Sequence, residues 1–186
     1  MNNTLSTQVL IIGGGSTGTG IARDLALRGI QCILAEFHDL NAGASGANHG
    51  LLHSGGRYVF TDQGSAAECR EEGKILKKLA PHCIEDTGGL FVAVEGDDEK
   101  YAADFPRLCA QCHIPVKELD VKEARELEPV LSDKLIAAYL VADASIDPFK
   151  LCMENMAQAQ ELGSTLLRFT KVVGFEISNK LSLIHI

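Results

Sequence analysis

With 186 residues, 46% hydrophobic and 23% charged, the chain has the length and composition of a soluble domain with a real core. A net charge of −8 with no basic stripe argues against a nucleic-acid backbone as partner. Its longest apolar run, Leu135 to Ala142, is too short to cross a bilayer, and no secretory signal marks the polar opening Met1 to Gln8. A cytoplasmic location is expected, with peripheral attachment through a partner left open.

Val9-Leu10-Ile11-Ile12 reads as a strand buried on both faces of a parallel sheet. Ile21, Ala22, Leu25 and Ala26 recur at helical spacing, and Gly29 sits where a left-handed cap would end that helix. Cys32 to Ala35 is the next buried strand, closed by Glu36, which completes a βαβ opening. A loop rich in Gly, Ala, Ser, Asn and His runs from Asn41 to Arg57.

Asp62 is placed to cap a helix to about Ala80, with Ile75, Leu76 and Leu79 expected to face inward. Strands are predicted at Leu90 to Val94 and Leu135 to Val141, with helices over Asp98 to Cys112 and Val121 to Glu128 between them. Asp147-Pro148 starts a further helix that ends near Gly163. Thr165 to Phe169 and Val172 to Ile177 read as two strands paired with each other. Residues 179–186 then read as a non-native or truncated tail, with Leu181 to Ile186 presenting apolar side chains without a partner; the alternative is a natural last strand that pairs elsewhere.

Gly13-Gly14-Gly15-Ser16-Thr17-Gly18 is G-x-G-x-x-G after a buried strand and at the mouth of a helix. Gly13 permits the turn, Gly15 lets a pyrophosphate approach the backbone, and Gly18 lets the helix lie close on the sheet. The helix start offers N–H groups and partial positive charge to the phosphates. Glu36, at the end of the second strand, suits a ribose hydroxyl and disfavours a 2′-phosphate, which argues against NADP. The motif alone does not separate FAD from NAD.

The segment Gly43 to Tyr58 crowds glycines, Ser45, His49, His53 and Arg57 into one loop. A purely structural loop seldom needs all of these together. Ser45 can donate to a phosphate, and glycines let backbone press on a flat ligand. Six cysteines without an export signal are most simply reduced thiols. Cys109-Ala110-Gln111-Cys112-His113 fits the spacing of covalent haem attachment. The same segment reads as a helix with Phe105, Leu108 and Cys112 on one face, and no second pair completes a zinc site. No metal is expected.

Asn48-His49-Gly50-Leu51-Leu52-His53-Ser54-Gly55-Gly56-Arg57-Tyr58 resembles the D-amino-acid-oxidase-like flavoproteins, and among them the FAD-dependent glycerol-3-phosphate dehydrogenases of the anaerobic bacterial type. Ser65 to Cys69, Gly88 to Val92 and Asp147-Pro148-Phe149 support the resemblance, which runs from about Val9 to Ile177.

It implies an α/β fold: a Rossmann-like FAD-binding domain from 1–86 and 145–178, with a substrate-domain segment, 87–144, inserted. It implies FAD as cofactor, with Gly13, Gly15 and Gly18 at the pyrophosphate and Glu36 at the adenosine ribose. Ala44 and Ser45 would approach the phosphates, His49, Gly50 and Leu51 the flavin, and Val172 the adenine.

His53 would take the hydroxyl proton of sn-glycerol 3-phosphate as hydride passes to flavin N5. His49 and Arg57 would join it in binding substrate, with Arg57 on the phosphate. Electrons would leave through partner subunits to quinone, or for oxygen. Such enzymes are longer, so this chain by itself is expected not to close the flavin site. A flavoenzyme acting on 2-hydroxyacids or amino acids stays open, since Arg57 would equally bind a carboxylate. So does a binding module without activity.

Overall fold

The computed structural model describes residues 4–178 and 181–185. In chain order the elements begin β1 (Val9–Ile12), α1 (Ser16–Leu27), β2 (Cys32–Ala35) and β3 (Leu51–Leu52). They continue with α2 (Gln63–Leu79), β4 (Ile84–Glu85), β5 (Gly89–Val94), α3 (Glu99–Gln111), β6 (Val116–Leu119) and α4 (Val121–Leu127). The last are β7 (Leu135–Val141), β8 (Ala144–Ile146), α5 (Pro148–Glu161), β9 (Thr165–Leu167), β10 (Gly174–Ser178) and β11 (Leu181–His185).

The chain divides into two compact units, Met1–His49 with Asp147–Ile186, and Gly50–Ile146. In the first unit β1, β2 and β9 form a parallel sheet in that order, with Val9 opposite Cys32 and Ile33 opposite Thr165. Every residue of β2 is buried, as its continuous apolar run requires of a central parallel strand. Helix α1 packs against α5, and small side chains (Ala22, Ala26, Ala159) around Met156 let the two approach closely. Gly29, at φ 77°, closes α1 as expected. Asp147 caps α5 by accepting the Lys150 N–H at 3.0 Å.

In the second unit β5, β7 and β6 form an antiparallel sheet, with β7 in the centre. The face of α3 that holds Phe105 and Leu108, with Cys112 at its C-terminal cap, is buried with Tyr139 and Val141 of β7. A second small sheet has β8 between β3 and β4.

Several sequence expectations change, among them β1, read as buried on both faces but found at the edge of the described sheet with Ile12 56% exposed. Residues 50–86, grouped from sequence with the nucleotide-binding part, pack within Gly50–Ile146. The cause is long-range: Leu51 and Leu52 pair with Ser145 and Ala144, and Ala66 packs into the core around Phe105.

Helix α2 starts at the predicted Asp62 cap, but Ile75 and Leu79 are 47% and 56% exposed. Its inward stripe is instead Ala66 and Gly73, continued by Ala80 just beyond its end, small residues that bring the helix close to its neighbours. Strand β9 pairs with β2 rather than with β10, because α5 serves as the crossover that returns the chain to the parallel sheet. Strand β10 pairs with β11, so the segment read as partnerless supplies a return strand. The expectation for Ile186 lies outside the described residues.

Candidate functional site

The first group of candidates lies in the unit Met1–His49 with Asp147–Ile186. Gly13, at φ 107°, turns the chain out of β1 while its N–H reaches the Ala35 carbonyl at 2.9 Å. A Cβ on Gly18 would lie 2.0 Å from the Gly13 carbonyl oxygen, so only glycine lets α1 sit this close to the turn. Helix α1 has no capping side chain at Gly15; Ser45 supplies one from across the loop, its Oγ accepting the Ser16 N–H at 3.0 Å. Ser16 and Ser45 hydroxyls also meet at 3.1 Å.

The Glu36 carboxylate accepts the Gly14 N–H at 2.7 Å and the His38 N–H at 2.6 Å, one on each oxygen. Each oxygen keeps a lone pair for a further donor such as a ribose hydroxyl. Gly13, Gly15, Gly18, Glu36 and Ser45 are therefore brought together around one helix start. Bare backbone, a helix amino terminus and a hydroxyl are the donor set a pyrophosphate needs, and the residues fit a dinucleotide. Ala44 and His49 are exposed on the same loop, and Val172 is half-buried between β9 and β10.

The second group lies in Gly50–Ile146. Gly50, at φ 66°, accepts the Ile146 N–H at 2.8 Å, and Leu51 follows in β3 with 48% of its surface exposed. His53 follows β3 directly, and its side chain is 18% exposed. Its Nδ1 lies 3.5 Å from Oδ2 of Asp143. Arg57 is exposed in a 3-10 turn, Gly56–Tyr58, and forms no ion pair with a described carboxylate.

Asp143 is the residue that sequence reading missed. It is 7% exposed, and its Oδ1 accepts the Ser54 N–H at 2.7 Å. Nothing local marks it. Only the register, Leu52 opposite Ala144, carries it to the level of His53.

Cys109 and Cys112 are packed in the core with Phe105 and Tyr139. Burial, the larger cause, and the neighbouring Cys112 push the Cys109 thiol up to about 11, which disfavours the thiolate that haem or zinc chemistry uses.

The family model described as FAD dependent oxidoreductase matches residues 8–184. The chain is 49% identical over 169 residues to one subunit of the anaerobic glycerol-3-phosphate dehydrogenase of Escherichia coli strain K12, covering 91% of this chain and 31% of that one. It is 46% identical over 185 residues to the corresponding subunit of the Haloferax volcanii enzyme, covering 94% and 32%. It spans about a third of the length of these curated relatives.

Among solved structures, the L-α-glycerophosphate oxidase of Mycoplasma pneumoniae with FAD bound matches with a TM-score of 0.84 at 21% identity. That match covers 97% of this chain and 50% of the other, and shows the α/β FAD-binding fold. FAD is thus the cofactor, and the chain belongs to the FAD dependent oxidoreductase family.

Proposed function

We propose that this chain forms the flavin-binding and proton-accepting part of an enzyme that oxidises sn-glycerol 3-phosphate to dihydroxyacetone phosphate. The carrying observation is His53 and Arg57 on one short segment, in a chain 46–49% identical to proteins named for that substrate. FAD, when bound, supplies the two-electron acceptor, N5, for the hydride on C2.

His53 takes the C2 hydroxyl proton, a role suited to the side chain that exchanges protons near neutral pH. Arg57 offers its planar fork to the phosphate, and its exposure leaves that fork to a ligand. His49 joins the substrate contacts, and Gly50 and Leu51 lie along the flavin. Gly13, Gly15, Gly18 and Ser45 hold the pyrophosphate, Ala44 lies beside it, Glu36 takes the ribose, and backbone at Val172 meets the adenine.

Electrons then pass to partner subunits, and from there to quinone, at the cytoplasmic face of a membrane. The relatives are named as one subunit of an enzyme, which supports a partner. No helix of the described residues is long and apolar enough to cross a bilayer.

The test is anaerobic mixing of the holoenzyme with glycerol 3-phosphate, 2-hydroxyglutarate and amino acids, with the flavin's visible absorbance followed. Fast bleaching by glycerol 3-phosphate alone is expected. Bleaching by a carboxylate substrate instead contradicts the phosphate assignment.

A further inference from the structure

Continuing the antiparallel register of β3 and β8 one step past Leu52 and Ala144 brings His53 opposite Asp143. Asp143 is fixed there from two sides. Its Oδ1 is taken by the Ser54 N–H at 2.7 Å, and a Cβ on Gly89 would lie 2.8 Å from the Asp143 Cβ, so bare backbone of β5 lies against it. A carboxylate this buried needs polar partners, and its second oxygen has one in His53 Nδ1 at 3.5 Å.

We infer that Asp143 is a positioning residue for His53. Its carboxylate accepts a hydrogen bond from Nδ1–H, which assigns the substrate's proton to Nε2 and stabilises the imidazolium formed. The inference rests on reading His53 as the base. The proton step is balanced: the substrate O–H bond breaks, the Nε2–H bond forms, and Asp143 stays ionised throughout. Its bond to Nδ1 is long without substrate and shortens as the ring becomes cationic, since charge-assisted bonds are the shorter and stronger ones. The Ser54 N–H keeps Oδ2 turned to the ring, so the histidine need not search for its orientation when substrate arrives. A clamp on the loop alone would explain the Ser54 bond but gives no use to Oδ2.

Asp143→Asn separates the two roles. It keeps an oxygen for the Ser54 N–H but presents an amide N–H to Nδ1, which moves the ring proton to Nε2, the wrong nitrogen. In the holoenzyme, flavin reduction by glycerol 3-phosphate should slow by about 10²–10⁴-fold, with substrate Kd and FAD content unchanged. Added to His53→Ala, it should slow the reaction no further.

Wild-type reduction in Asp143→Asn, with His53→Ala slow, overturns the positioning role and leaves the base assignment standing. A further loss in the double variant also overturns it. Wild-type reduction in His53→Ala overturns the underlying reading. Should Asp143→Asn not fold, ¹⁵N NMR of the histidines in the unaltered holoenzyme decides. A His53 ring proton on Nδ1 supports the inference, and one on Nε2 contradicts it.

Discussion

Ser45 Oγ stands 2.8 Å from the point where a Cβ on Gly15 would be. The hydroxyl that caps α1 thus meets any side chain placed at Gly15, on the face proposed to receive the pyrophosphate. Gly15→Val should therefore abolish FAD binding in the holoenzyme, and Gly15→Ala should weaken it. Flavin content of the folded variants checks this. Full flavin in Gly15→Val removes the cofactor assignment.

Glu36 ties β2 to the glycine turn through Gly14 and has lone pairs left for the ribose. Loss of one charge-assisted hydrogen bond in Glu36→Ala should weaken FAD binding by about 1–3 kcal/mol. Flavin titration of the apoprotein measures it, and an unchanged Kd would take Glu36 out of the site.

Arg57 has no described carboxylate to hold, so its loss should be felt by substrate rather than by the fold. Arg57→Ala should raise KM for glycerol 3-phosphate by roughly 10–100-fold, the equivalent of a bond to a charged group. Oxidation of free glycerol should stay as poor as before. Some fall in kcat is compatible, since binding energy distant from the reacting carbon can serve the chemical step. Steady-state kinetics on both substrates tests the pair of expectations.

The Cys109 thiol, raised to about 11 by burial and Cys112, should resist alkylation at pH 8 in the native protein and react once it unfolds. Its raised value favours the folded state at pH below the unfolded thiol's value, and that contribution is lost as pH rises toward the folded one. Mass spectrometry of iodoacetamide-labelled peptides reads the first expectation. Native labelling of Cys109 as fast as of the half-buried Cys69 contradicts it.

The parallel opening of the fold was legible because local signals coincide there: the β1 run, the glycine turn, the helix period and the buried β2. Asp62 and Asp147 announced their helices for the same reason, since a cap is a local event. What escaped was long-range. Strands β3, β4 and β8 are two or three residues long and exist only because distant segments pair. Ile75 and Leu79 were misjudged because the stripe of small residues on α2, not its largest side chains, meets the core. Asp143 was invisible for the first of these reasons: its partner stands ninety residues earlier in the chain. The loop residues from Ser45 to Arg57 could be read because their density of chemical groups exceeds what a turn requires, whereas a solitary buried aspartate carries no such mark.

Anaerobic stopped-flow reduction of the flavin by glycerol 3-phosphate, in the wild-type holoenzyme and in His53→Ala, tests the central claim most directly. The account predicts rapid bleaching in the wild type and a rate roughly 10²–10⁴-fold lower in His53→Ala, with FAD still bound. Equal rates in the two proteins, or no reduction of the wild-type flavin by this substrate, would contradict it.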